Sequence, residues 1–457
     1  MTFDLLLAVG GDDALAAIFT EQRAVHDWLE VEAALAYGLA TAGVIDESRA
    51  TRIAAACRLD IVDMERLWTE TAMVGYPIFP LVRMICDALD DTDAGYVHFG
   101  ATTQDIMDTA LALQLRDAGV RLLELVDAFG DAVAALVEQH EHTVMAGRTH
   151  AQQAVPTTFG AKCAGFLSEL GRHRRRLGTA VQEAAIASLY GAGGTSAALG
   201  ERAPIVRGEL ARRLRLGTSP VPWHVSRDRP AELIMSGALV AATCVRFARE
   251  VIDLARTEVG EVAEADGIYR GASSTMPQKA NPIASELAVG FGVMAQAAAG
   301  AMFRAAEAGH ERSAGEWQVE WQAAPQACVA IAGALRAAAS VAEGLRVFPD
   351  RMLANLHLDG GRIMAEAYMI ALAAELGREH AHEAVYRAVR ESRDGDIGLL
   401  DALAAGLPAD VWRVVEPTLP RPEQYLGETS AICSAALDEW RAARSEQLST
   451  AGEGASA

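Results

Sequence analysis

Length without interruption constrains this chain most. From Ile106 to about Gln139 there is no proline, and apolar residues recur at every third and fourth position. That spacing predicts a helix far longer than the globular mean of about 11–12 residues. Residues 158–187, 231–264, 283–308 and 319–345 carry the same pattern, the last with a kink expected at Pro325. About five helices of this length predict a bundle. Shorter helical patterns lie on either side. Before the bundle, 13–57 reads as two amphipathic helices broken at Thr41–Gly43, and Leu81–Leu89 as a short one behind Pro77 and Pro80. After 347 the helices shorten and prolines gather at 417, 420 and 422. The expected fold is therefore all-α, with residues 1–100, 101–346 and 347–457 as N-terminal, central and C-terminal helical domains. Two or three domains is also the expectation from a length of 457 residues.

Composition narrows the function. Hydrophobic residues make up 51% and charged ones 22%, as in a globular protein, and no leader or membrane anchor is expected. A net charge of −21 argues against nucleic acid, whose phosphates need a basic face. It also requires that an anionic substrate meet a local cationic site. The six cysteines (57, 86, 163, 244, 328, 433) are scattered without metal-ligand spacing, so they read as buried cytoplasmic thiols rather than disulfides or a metal site.

Three stretches between the long helices carry chemistry. In His98-Phe99-Gly100-Ala101-Thr102-Thr103-Gln104-Asp105 the threonines stand where a helix should start and Asp105 lies in its first turn. Capping alone explains that pattern; a helix start with free N–H groups and hydroxyls also suits a carboxylate. Gly147-Arg148-Thr149-His150 opens a second stretch, a turn bounded by Gly147 and Pro156 with His150 beside Thr149. The third, Gly271 to Pro282, is a small-residue loop holding Ser273, Ser274, Lys279 and Asn281, pinned by Pro277 and Pro282 between long helical segments. Composition reads it equally as a plain connection between helices. Tyr190–Thr195 is glycine-rich but lacks the ending of a phosphate loop, and is expected to break a helix near the site.

The Gly271–Pro282 string resembles the G-S-S-x-M-P-x-K-x-N-P signature of the fumarase/aspartase superfamily, departing at Ala272. The Thr102–Asp105 and Thr149–His150 stretches resemble its other two signature regions. "YVHFGATTQD", "PWHVSRDR", "HERSAGEW" and "YLG" are similar to 3-carboxy-cis,cis-muconate cycloisomerases, and "NPIASE" to adenylosuccinate lyases. The resemblance implies a cofactor-free and metal-free lyase acting on a small dicarboxylate, assembled as a homotetramer whose sites are shared between subunits. It implies Ser273 as catalytic base, with His150 and its acidic partner Glu286 as proton relay. It further implies Lys279, Asn281, Thr102, Thr103 and Thr149 as carboxylate contacts, with Arg227 and Arg312 as further anion contacts. Cycloisomerases of the bacterial type usually lack a histidine at the position of His150 and an acid at that of Glu286. Their joint presence points to elimination releasing fumarate, with ammonia, an amine or nitrite as leaving group. Nitrosuccinate lyases belong to this part of the superfamily. Lactonising cycloisomerisation is the alternative, and an adenylosuccinate lyase-type enzyme or a non-catalytic homologue stands behind it.

Overall fold

The computed structural model describes residues 4–265, 267, 271–272 and 275–446. Ser273 lies outside the described residues. In chain order the elements that position the site are α1 (Glu21–Thr41), α2 (Thr103–Gln139), β1 (Val144–Thr149), β2 (Gln152–Thr158), α3 (Phe159–Ala184), α4 (Ala203–Leu214), α5 (Asp228–Leu254), β3 (Val262–Ala263), α6 (Ile283–Ala305), α7 (Glu316–Gly344), β4 (Arg346–Val347), α8 (Pro349–Leu356) and α9 (Thr429–Ser445). The fold is all-α, and its strands are short two-stranded pieces.

Where the long helices begin and end follows local chemistry. At the start of α2 the Asp105 carboxylate turns back to accept from the Thr102 amide at 3.0 Å, satisfying a donor that the helix leaves open. At the start of α3 the Thr158 hydroxyl accepts from the Ala161 amide in the same way. Pro325 sits inside α7, as expected. Residues 144–158 differ from the expected turn: they form an antiparallel hairpin with a register shift between Gly147 and Arg148. The helix pattern from 231 was expected to run to Glu264, but α5 stops at Leu254. Beyond it Gly260 takes a φ of 61°, and Val262–Ala263 pairs with Arg346–Val347. The helix expected at Leu81 starts at Ile78, with Pro80 in its first turn, where its missing N–H costs nothing.

Contacts between the long helices show which way each one runs. Arg227, at the start of α5, bonds Asp108 near the start of α2 and Glu320 near the start of α7. α3 runs the other way, pairing Arg174 with Asp127 of α2 and Lys162 with Glu250 of α5, both at 2.7 Å. α6 also runs against its neighbours, packing so tightly on α7 that a Cβ at Gly333 would lie 2.5 Å from the Phe291 ring. One end of the bundle therefore gathers the N-termini of α2, α5 and α7. The other gathers the β1–β2 hairpin, the end of α5, the loop before α6 and the β3–β4 pair. At 1.5 Å per residue, the 27 residues of α5 separate the two ends by about 40 Å.

The central core (Phe129, Leu167, Phe247, Ile331) fills this bundle, and α9 closes on it through Trp440. A second core joins residues 25–113 with 185–216, so α4 folds back onto α1. A third, around Leu356, Tyr368 and Leu403, reaches Ala146 of the hairpin. α5, α6 and α7 are long and apolar enough to cross a membrane, by length and composition only, where no such run was expected. The apolar stretches of α5 and α7 are 67% and 72% buried within the bundle. That of α6 is 33% buried, leaving Met294 56% and Phe303 63% exposed.

Candidate active site

At the first end, Thr102 caps α2 and Thr103 begins it, both half-buried. Arg312 reaches this point from the segment before α7. Its Nη1 donates to Thr102 Oγ1 at 3.2 Å, its Nε to Gln104 Oε1 at 3.1 Å, and its Nη2 to the Ala192 carbonyl at 3.2 Å. The last contact brings in the glycine-rich stretch, which the buried Asp105 fixes by accepting from the Tyr190 and Gly191 amides at 2.9 and 2.8 Å. Asp105 also accepts from His224 Nε2 at 2.7 Å. A single carboxylate thus ties Thr102, the 190–194 turn and the "PWH" stretch together.

His98 belongs to the same end and was not assigned a role from sequence. It has a φ of 60°, and its Nδ1 lies 2.6 Å from Glu32 Oε1. Burial works against charging this imidazole, but the Glu32 carboxylate wins and raises its proton affinity above the ordinary range. The available signal was its place just before Gly100. Its partner, 66 residues away, gave none.

Arg227 is a correction. It is 1% exposed, and all five of its N–H donors are taken. Nε and Nη2 go to Glu320, Nη1 and Nη2 to Asp108, and Nη1 also to the Trp223 carbonyl. No donor is left for a substrate. Two carboxylates share this one guanidinium, and burial pushes Asp108 up to about 6, with the Glu320 charge adding to the effect.

At the second end, Thr149 and His150 form the exposed tip of the hairpin, His150 and Ala151 having φ values of 50° and 61°. Arg148 anchors the tip by a two-pronged bond to the buried Glu261, at 2.9 and 2.5 Å. Asn355 of α8 donates to the same carboxylate at 2.7 Å. Three residues on, Glu264 accepts from the Ser285 amide and hydroxyl, both at 2.7 Å, and so caps α6. Gly271 has a φ of 66°, and Asn281 donates to its carbonyl twice, from the amide at 2.9 Å and from Nδ2 at 3.0 Å. A Cβ at Gly271 would lie 2.4 Å from the Asn281 carbonyl oxygen, so only glycine fits. Lys279 and Glu286 are exposed, Glu286 in the first turn of α6.

The site residues thus fall into two groups. Thr102, Thr103 and Arg312 stand at one end of the bundle, and Thr149, His150, Lys279, Asn281 and Glu286 at the other. Among the described residues, no hydrogen bond or ion pair joins the groups, and none engages the side chains of His150, Lys279 or Glu286.

Comparison with known proteins agrees with this architecture. The family model described as "Lyase" matches residues 9–298. A 3-carboxy-cis,cis-muconate cycloisomerase of Pseudomonas aeruginosa is 39% identical over 94% of each chain. A nitrosuccinate lyase of Streptomyces davaonensis is 37% identical over 91% of this chain and 92% of its own. The crystal structure of the 3-carboxy-cis,cis-muconate lactonizing enzyme of Pseudomonas putida superimposes with a TM-score of 0.90 at 34% identity, covering 96% of this chain and all of that one. Helix order, signature stretches and full-length similarity agree: the chain belongs to the lyases of the fumarase/aspartase superfamily, in the subgroup resembling 3-carboxy-cis,cis-muconate cycloisomerases.

Proposed function

We propose that the protein is a cofactor-free lyase that eliminates a leaving group from a small substituted succinate and releases fumarate. Ser273 takes the proton from the carbon next to a carboxylate, and the electron pair spreads into that carboxylate. The pair then forms the carbon–carbon double bond as the leaving group departs from the neighbouring carbon with its bonding electrons. The charge that gathers on the carboxylate needs fixed donors. Lys279, Asn281 and the hydroxyls of Thr102, Thr103 and Thr149 take that role, with Arg312 as an anion contact. His150 and Glu286 relay the proton to the leaving group.

One observation carries this choice. His150, on a tip braced by the Arg148–Glu261 pair, and Glu286, in the first turn of α6, are both exposed at the same end of the bundle. A lactonising enzyme of the bacterial type does without either. The active form is a homotetramer. A dicarboxylate cannot span the roughly 40 Å between the two groups of residues, so a site needs both ends, supplied by different copies running in opposite directions. The exposed apolar face of α6 is the surface such a copy would cover. The six free cysteines suit a cytoplasmic setting.

A second reading is 3-carboxy-cis,cis-muconate cycloisomerisation, favoured by the 39% identity to the Pseudomonas aeruginosa enzyme. Ultraviolet absorbance separates the two. Purified protein is offered nitrosuccinate, aspartate, argininosuccinate, adenylosuccinate and malate, and separately 3-carboxymuconate. Fumarate should appear from one succinate, and Ser273→Ala should slow it about 100-fold or more. Consumption of 3-carboxymuconate with no fumarate from any other compound would sink the elimination reading.

A further inference from the structure

We propose that Gln104 is a positioning residue that aims the Arg312 guanidinium, and through it the Thr102 hydroxyl, at a substrate carboxylate. The inference rests on the reading that Thr102 and Arg312 hold that carboxylate. Gln104 lies fully buried in the first turn of α2. Its amide nitrogen carries two hydrogens, and both have acceptors: Asp108 Oδ2 at 3.1 Å and the His224 carbonyl at 2.7 Å. A carbonyl oxygen never donates, so a flipped amide would press oxygen against oxygen. The orientation is thereby settled, and Oε1 must face Arg312, whose Nε donates to it at 3.1 Å.

The consequence is a count of donors. Arg312 has five N–H groups, of which one goes to Gln104, one to Thr102 and one to the Ala192 carbonyl. One hydrogen on each terminal nitrogen is left for an anion. The Thr102 oxygen, by accepting from Arg312, keeps its own hydrogen to donate. Three donors thus stand ready for one carboxylate, and all depend on where Nε is held. Glutamate at 104 would add a third acid beside Asp108 and Glu320 and neutralise Arg312. An apolar residue would leave the guanidinium without its buried stop.

The test is a double-mutant cycle on fumarate binding to the assembled protein, followed by titration calorimetry. Q104M should weaken binding about tenfold, the loss expected when one hydrogen bond to a charged group goes. R312A should weaken it at least as much, and the double variant no further than R312A. Melting temperature, followed alongside, should not track the affinity change. If Q104M does not fold, Q104S enters the same cycle. Losses that multiply in the double variant would overturn the proposal, because Gln104 would then act independently of Arg312. Binding weakened by R312A but untouched by Q104M would overturn it alone. A wild-type protein that binds neither fumarate nor any compound of the panel would overturn the functional reading with it.

Discussion

Arg148 shows how much one side chain can decide. Its partner Glu261 is fully buried and takes three charge-assisted hydrogen bonds, two of them from this guanidinium. Arg148→Ala strands that carboxylate, and stability should fall by about 3–5 kcal/mol in urea unfolding. A loss below about 1 kcal/mol would mean that water reaches Glu261 and that the pair does not brace the His150 tip. Asp108 makes a prediction of opposite sign. Its cluster with Glu320 and Arg227 holds a proton up to pH about 6, whereas an unfolded aspartate sheds its own near 3.8. The folded state binds more protons across that window, so this group's contribution to stability declines as pH rises from about 4 to 6 and is level above it. Wild-type unfolding free energy should drop more steeply across the window than that of Asp108→Asn; parallel curves would remove the proton from Asp108. At this scale the motifs were legible and the partners were not. Thr102 and Arg312 were named from their strings, and they meet. Arg227 was named an anion contact through the resemblance, and nothing local spoke against it because the acids that claim it lie 119 and 93 residues away.

Elements were easier to read than residues, for a physical reason. An uninterrupted apolar period over 30 residues has one good solution, and α2, α3, α6 and α7 end within a few residues of where the period stops. Short strands leave a weaker trace: Val144–Thr158 holds a glycine and a proline, and its hairpin rests on tertiary partners such as the Asn355 carbonyl, which accepts from Gln153 at 2.7 Å. The end of α5 was misplaced because nothing apolar or proline-like marks Leu254. The available mark was Gly260, whose φ of 61° turns the chain toward β3. The loop before α6 gives a prediction of its own. Gly271→Ala must push the Asn281 carbonyl away and adopt a left-handed φ, a local cost of about 1–3 kcal/mol. Because residues 275–280 of the loop are exposed, global unfolding should barely move while kcat falls about tenfold or more. Equal damage to both would make the loop a fold element rather than part of the site.

For the whole molecule, the proposed function makes assembly a condition of activity, because its two residue groups stand at opposite ends of the bundle. If each site draws one end from each of two copies, an H150A chain and an R312A chain carry different defects. Mixed in equal amounts, dissociated and reassembled, they should recover about a quarter of the wild-type sites, since each end is intact half the time. Recovery no better than the sum of the two parents would return the site to a single chain. Phe303→Glu, placed on the exposed face of α6, should lower the oligomer mass in light scattering and the activity together. The same separation has a consequence for the cell. A newly made chain would carry the parts of a carbanion-forming catalyst yet remain inert until it met its neighbours, so output would climb more steeply than protein concentration when copies are few. A folded chain defective at both ends would not merely be idle: each of its ends would spend a sound neighbour's half-site, and one such gene copy of two would leave about a quarter of the activity rather than half.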